Sequence, residues 1–279
     1  MNLQKLIILG AAGSMGARHI RTLRAVAPQV ELIRADPTYD IRPGYYNDWH
    51  AAINQHRNTN GAIICSPMLW HLRQMKTLFD YGLPFYVEKP PCLIDEIDEF
   101  ERLALKENGL QYCAVGFQYR FHPNLNTGRW QDQKRVRFYA RDDLLSRYGA
   151  TCLETMTSHP IDSALYAFGP AEDVSLVTDG LSVAGDIVHR DGRVSEFDLR
   201  IDEAPRVSLA ITTGQTDDLS LDDGMYRESL LAWLDWLQTG RRRMQTAILV
   251  QSLAVMKVMA ACKRIDETPS VVKKKERVK

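Results

Sequence analysis

Apolar residues in the first half of the chain come in short unbroken runs, and between the runs they recur every three or four positions. Leu6-Ile7-Ile8-Leu9, Val30-Glu31-Leu32-Ile33, Gly61-Ala62-Ile63-Ile64-Cys65, Pro84 to Val87 and Gln111 to Gly116 are the runs. Such segments read as strands buried on both faces. The intervening stretches read as helices. From Ser14 to about Val26, Met15, Ile20, Leu23 and Val26 fall near helical spacing. Leu72 to Tyr81 forms a second helix closed by Gly82. Ile94 to Lys106 carries its acids early and its bases late, as the helix dipole prefers. Parallel neighbours need a crossover, almost always right-handed, so this alternation predicts a Rossmann-type, doubly wound parallel sheet of the α/β class. Its expected extent is residues 1–120.

Beyond Pro123 the pattern changes to residue-by-residue alternation. Arg135 to Ala140, Val174 to Val177, Leu181 to Val188, Val194 to Ile201 and Val207 to Thr213 read as strands, separated by the turn pairs Asp179-Gly180, Asp191-Gly192 and Thr213-Gly214 at hairpin spacing. A helix over His159 to Phe168 is expected before this sheet, and two more, Tyr226 to Leu237 and Ala247 to Arg264, after it. Residues 121–279 are therefore expected to be an α+β domain on a mainly antiparallel open sheet.

Composition narrows the function classes. The chain has 279 residues, enough for two domains, with 35 basic residues against 35 acidic ones. A balanced charge supplies no field to draw the protein to nucleic acid or to an anionic membrane. The five cysteines are scattered singly, with no Cys-x-x-Cys pair and no His cluster at metal-ligand spacing, so no metal is expected. No signal core is seen, and no apolar run approaches the roughly 20 residues of a membrane span. A reduced, cytoplasmic protein is the expectation.

Candidate chemistry begins in the turn after the first run. Gly10, Gly13 and Gly16, with Ser14 and Met15 between them, join strand to helix. Small residues there let a pyrophosphate approach backbone amides and the positive end of the helix. The spacing is Gly-x-x-Gly-x-x-Gly rather than the dinucleotide pattern Gly-x-Gly-x-x-Gly, and a tight turn alone would also explain it. Asp36, twenty residues beyond Gly16 at the end of the second strand, can accept hydrogen bonds from both ribose hydroxyls and would repel a 2′-phosphate. NAD is therefore favoured over NADP; Arg34 and an Asp-Pro turn are the counter-arguments.

Four motifs in register add a family. Gly13-Ser14-Met15-Gly16-Ala17-Arg18-His19-Ile20, then Ser66-Pro67 with His71, then Glu88-Lys89-Pro90, then Val115-Gly116-Phe117-Gln118-Tyr119-Arg120-Phe121-His122-Pro123 resemble the glucose-fructose oxidoreductase/inositol dehydrogenase family. The resemblance covers most of the first domain. It implies Ser66, Pro67 and His71 near the cofactor and Glu88 and Lys89 near the nicotinamide. It also implies a second domain whose sheet covers the substrate and often builds a homo-oligomer, a dimer or tetramer.

Oxidising a hydroxyl-bearing carbon needs a group that takes the hydroxyl proton. Lys89, between Glu88 and Pro90 at a strand's carboxyl end, is the first candidate, and its plain alternative is to neutralise Glu88 or the phosphates. His159 is the second. The family segment reads Asp-x-x-x-His-x-x-Asp; here His159 and Asp162 match, but Thr155 stands at the first aspartate and Glu154 lies one position off. Pro160 suits a helix's first turn, which would leave Thr155 outside the helix. Asp162 could orient His159, or simply belong to that first turn. Tyr119 and Arg120, expected at the end of the strand that begins at Gln111, are substrate candidates. Arg120 could grip an anion or form a domain-bridging ion pair. The resulting expectation is a hydride-transferring oxidoreductase acting on a sugar, cyclitol or sugar derivative. Gly10-Ala11-Ala12-Gly13-x-Met15-Gly16 also suits a dihydrodipicolinate reductase-like protein, although the His-rich motif expected there is absent. An NAD-binding sensor without turnover is the third reading, favoured by Thr155.

Overall fold

Two seven-stranded sheets carry the chain. The structure is a computed structural model and describes residues 3–106, 112–127, 132–142, 152–201, 207–212, 216–219 and 222–265. The first sheet is built from β1 (Lys5–Leu9), β2 (Glu31–Ala35), β3 (Tyr45–Tyr46), β4 (Gly61–Ile64), β5 (Phe85–Glu88) and β6 (Ala114–Gly116) in the spatial order β3-β2-β1-β4-β5-β6. All of these pairings are parallel, with Leu6 opposite Leu32 and Ile7 opposite Ala62. Helices α1 (Ser14–Val26), α2 (Trp49–Gln55), α3 (His71–Asp80) and α4 (Ile97–Ala104) lie between the strands, and the short α5 (Pro123–Asn126) follows β6. Strand order reverses between β1 and β4. Ligands of doubly wound sheets bind at the carboxyl ends of the strands beside such a reversal.

The second sheet has the order β12-β11-β7-β10-β9-β8-β14, from β7 (Arg135–Asp142), β8 (Ala171–Thr178), β9 (Ser182–His189), β10 (Val194–Ile201), β11 (Val207–Thr212), β12 (Thr216–Asp218) and β14 (Lys263–Arg264). It is mainly antiparallel; β7 with β10 and β8 with β14 pair in parallel. Its inner face carries Phe138 and Phe197, stacked at 5.3 Å, with Ile187, Leu199 and Ile211. The outer face carries a ladder of ion pairs, Arg135 with Asp186 and Glu196, Arg137 with Asp198, and Arg200 with Asp198. Two-domain α/β architecture with a mainly antiparallel second sheet is what the hydrophobic pattern predicts. The Thr213-Gly214 turn lies outside the described residues.

Three elements depart from expectation. Helix α6 (Cys152–Phe168) starts seven residues before His159 and runs through Pro160. The ring removes the bond from position 160 to the Met156 carbonyl. Burial of Met156, Ile161, Ala164 and Phe168 outweighs that loss, so Thr155 is helical rather than irregular. Second, Ala247–Ile248 is a strand, β13, which extends the first sheet by antiparallel pairing with β6. The helix that follows, α8, is Leu249–Ala260, and the chain then pairs as β14 rather than staying helical. Third, the chain returns to the first domain through α7 (Asp223–Thr239), whose Leu230, Trp233, Leu234 and Leu237 pack with Leu6, Ile8, Leu23 and Ile63. Trp233 is fully buried and donates its indole N–H to the Tyr112 carbonyl at 2.7 Å, the core role its apolar helix suggests. Among the described residues, no helix is long and apolar enough to cross a membrane.

Candidate active site

The glycine turn is shaped by close backbone approaches. Gly10 has φ +77°, and a Cβ there would lie 2.5 Å from the Ser66 nitrogen. A Cβ on Gly16 would lie 2.3 Å from the Gly10 carbonyl oxygen. Neither position has room for a side chain, and this tightness brings the turn against the start of the segment after β4. Gly13 differs: its Cβ would meet only the Gly10 oxygen, at 3.4 Å. Gly13 is the N-cap of α1, with no side-chain cap and no acid in the first turn. Ala12, Gly13 and Ser14 are exposed, so the first amides of α1 face outward at the lip of the turn, as an incoming pyrophosphate requires. Met15 lies one step inside, its sulfur 3.6 Å from an Arg18 nitrogen. These features fit a dinucleotide.

Asp36 follows β2 directly. Its Oδ2 accepts the Ala12 N–H at 3.0 Å, and its Oδ1 accepts the Thr38 N–H at 3.1 Å and the Thr38 hydroxyl at 2.7 Å. A carboxylate has about four accepting sites, so three are taken. The carboxylate thus fastens the glycine turn to the end of β2 and keeps about one site for a ribose hydroxyl.

At the ends of β4 and β5 the contacts are backbone braces. The Ser66 hydroxyl donates to Gln74 Oε1 at 2.6 Å. His71, buried, bridges two loops: Nδ1 is 2.8 Å from the Pro90 carbonyl and Nε2 is 2.8 Å from that of Ser66. Burial pushes its pKa down, partly offset by those carbonyls. His71 therefore ties the segment after β4 to the segment after β5, and Pro67 beside it is exposed. Glu88 is buried, with Oε1 2.7 Å from His19 Nε2, while the Gln118 amide donates to both of its oxygens at 3.1 and 3.2 Å. Gln118 also reaches the Tyr86 hydroxyl, which pairs with Ser229 at 2.9 Å. A buried carboxylate is tolerable only with such partners. This chain ties α1, β5, the segment after β6 and α7 together directly behind Lys89.

Lys89 itself is half-buried and lies close enough to His159 for its charge to act on the imidazole. His159 is 6% exposed, and among the described residues neither ring nitrogen has a hydrogen-bond partner. Its ring meets Tyr119 edge-on at 4.7 Å and Phe117 at 6.0 Å. Burial, with Lys89 adding to it, holds its pKa well below the ordinary 6.5. Both effects disfavour the protonated form, so the imidazole rests uncharged. The fold thus brings Lys89 and His159, seventy positions apart in the sequence, into one site.

Tyr119 and Arg120 lie in a single 3-10 turn, Gln118–Phe121, past the end of β6 rather than within it. Arg120 is 2% exposed and closes its fork on Asp162, with Nε to Oδ2 at 2.9 Å and Nη2 to Oδ1 at 2.5 Å; Nη1 donates to Gln251 at 2.8 Å. Burial pushes the Asp162 carboxyl up and Arg120 pulls it back. Asp162 thus faces Arg120, and this pair joins the segment after β6 to α6. The Thr155 side chain lies outside the described residues. Sequence reasoning gave no role to His19, Tyr86, Gln118 and Ser229. His19 and Gln118 do lie within the motifs that carry the resemblance, as polar residues inside otherwise core-like segments. Among the described residues, no group of His, Cys, Asp and Glu is arranged to hold a metal.

No family model matches this chain, and no curated protein matches it. Solved structures do. The WlbA (WbpB) dehydrogenase from Thermus thermophilus, in complex with NAD and UDP-GlcNAcA, is 18% identical with a TM-score of 0.73 over 92% of this chain and 94% of that one. A myo-inositol dehydrogenase from Corynebacterium glutamicum is 16% identical, TM-score 0.72, over 94% and 96%. The UDP-N-acetylglucosamine 3-dehydrogenase GnnA from Acidithiobacillus ferrooxidans is 17% identical, TM-score 0.72, again over 94% and 96%. The chain therefore shares the two-domain fold of these dehydrogenases, the fold that the resemblance of its four motifs implies.

Proposed function

We propose that this protein is an NAD-dependent oxidoreductase that moves a hydride between nicotinamide and a hydroxyl-bearing carbon of a sugar, cyclitol or sugar derivative. The observation that carries the reading is the buried imidazole of His159, without a hydrogen-bond partner at either nitrogen among the described residues and within reach of the Lys89 charge. A buried polar group without a partner is costly, and one facing a second titratable group in the cofactor-binding fold is best explained by a ligand that completes it. The structural likeness to dehydrogenases, one of them crystallised with NAD and a nucleotide sugar, supports the same class.

The amides at the start of α1 would hold the pyrophosphate, Asp36 a ribose hydroxyl, and Ser66 and Pro67 the wall between them. Bound, the dinucleotide supplies the carbon that accepts or returns the hydride. Lys89 orients the reacting oxygen and stabilises negative charge as its proton leaves. His159, uncharged in the resting site, accepts that proton as negative charge develops on the reacting oxygen and offsets the burial and the Lys89 charge that lower its pKa. Glu88 is held by His19 and Gln118, which fixes the carboxyl end of β5 and with it the start of the Lys89 side chain.

An absorbance screen for NAD-linked oxidation across polyols, sugar acids and nucleotide sugars tests the reading. Turnover on at least one class is expected. Saturable NADH binding with no turnover on any of them would return the sensor reading that Thr155 favours.

A further inference from the structure

Helix α6 carries a run of buried polar side chains, Thr157, Ser158, His159, Asp162 and Ser163. Asp162 is closed on Arg120, and Thr157 and Ser158 have partners of their own. Among the described residues, both ring nitrogens of His159 and the Ser163 hydroxyl are buried without a hydrogen-bond partner. These two residues are four positions apart in α6, so they lie one above the other on the same face of the helix. Ser163 is fully buried, whereas His159 keeps a little exposed surface, so the hydroxyl lies behind the imidazole rather than where a substrate would meet it. Packing gives no reason for a polar group at position 163, since a buried hydroxyl without a partner costs stability that an alanine would not.

We propose that Ser163 is a positioning residue for His159: as the imidazole takes the proton of the reacting hydroxyl, its second N–H is accepted by Ser163 Oγ. The inference rests on the proposed role of His159 and deepens it. In that step the substrate O–H bond breaks, its proton bonds to one ring nitrogen, and hydride leaves the neighbouring carbon for the nicotinamide; Ser163 neither gives nor receives a proton. Protonation makes both ring nitrogens donors. One faces the reacting oxygen, and the other then needs an acceptor inside the fold. The remaining neighbours do not supply it. Lys89 is a cation with no lone pair to offer. Asp162 is held by Arg120, and Glu88 by His19 and Gln118. Phe117 and Tyr119 present their rings. Glu154 has one unpartnered buried oxygen, but it lies five positions before His159, off the face that His159 and Ser163 share. The Met156 carbonyl, freed by Pro160, is fixed in the backbone, whereas a serine hydroxyl can turn between staggered rotamers to meet the new donor.

With a substrate from the oxidation screen, Ser163→Ala is compared with the unaltered protein, with His159→Asn, and with Ser163→Cys, which keeps a similar side chain but offers only a weak acceptor. Ser163→Ala and Ser163→Cys are each expected to lower kcat by about fivefold or more with KM within about threefold, the scale of one hydrogen bond to a charged group. The acidic limb of kcat/KM should also move down by about half a pH unit or more, because the protonated imidazole has lost its acceptor. Thermal denaturation of Ser163→Ala should give a melting temperature equal to or above that of the unaltered protein, since an unpartnered hydroxyl has been removed. A smaller fall in kcat, an unmoved limb, a lowered melting temperature in Ser163→Ala, or a Ser163→Cys protein as active as the original overturns the inference. If His159→Asn abolishes turnover in the same series, the proposed reaction still stands. Undiminished turnover in His159→Asn, or no turnover of the unaltered protein on any substrate class, overturns the two together.

Discussion

Gly13→Asp separates the fold of the glycine turn from its function. The backbone at Gly13, φ −67° and ψ 166°, is the extended conformation that N-cap residues adopt, and an added Cβ meets nothing closer than 3.4 Å. Aspartate at that position would cap the open amides of α1 and place negative charge at the positive end of its dipole, contributing about 0.5–1 kcal/mol. The same carboxylate would occupy the place of the pyrophosphate. Two unit charges about 4 Å apart repel by roughly 4 kcal/mol at an effective dielectric near 20, or about a thousandfold in affinity; salt screening reduces this to at least about a hundredfold. Thermal denaturation should show an unchanged melting temperature or a rise of about 2 °C, while calorimetry shows NADH affinity nearly abolished. A folded Gly13→Asp protein that binds NADH within about threefold of the original would refute the placement of the pyrophosphate at this turn.

Two further perturbations address the interior. Arg120→Ala strands a fully buried Asp162 carboxylate and should destabilise by about 3–5 kcal/mol in urea denaturation, whereas Arg120→Met with Asp162→Leu should recover most of the loss. A single-variant cost below about 1 kcal/mol would contradict a buried ion pair between these groups. The depressed pKa of His159 predicts pH behaviour with a definite sign. Below its ordinary value of 6.5 the unfolded chain takes up a proton that the folded site refuses, so this histidine's contribution to stability is complete above 6.5 and is lost as pH falls. For the same reason kcat/KM for oxidation should stay level from pH 7 down to 6.5 and decline only below it. An acidic limb centred above pH 7 that vanishes in His159→Asn would show the imidazole to be protonated in the resting site.

Much of the fold could be read from periodicity because five of the six strands of the parallel sheet are near-continuous apolar runs with turn residues at their ends. Short elements escaped it. Tyr45–Tyr46 and Trp49–Gln55 have too few residues to establish a period, and the second is marked mainly by its cap, Asp48, whose carboxylate accepts the His50 and Ala51 amides. Pro160 misled the reading of α6, since local preference gave way to burial of the whole helix. The return of α7 and β13 to the first sheet is a long-range packing event with no local signature. Within the site, Lys89 and His159 stood out through their motifs, but their nearness depends on how the two sheets meet. The roles of Asp36 and Asp162 were open in the sequence for a related reason: a carboxylate's partners are set by what the fold brings to it, and here these are Ala12, Thr38 and Arg120.

Lys89 is the residue on which the proposed chemistry depends most directly. With a substrate from the oxidation screen in hand, Lys89→Met should lower kcat by at least about a thousandfold, the scale on which positioned proton-transfer and charge-stabilising groups act, while calorimetric NADH affinity stays within about threefold. Unchanged turnover in Lys89→Met would contradict the claim that the Lys89 and His159 site performs the chemistry.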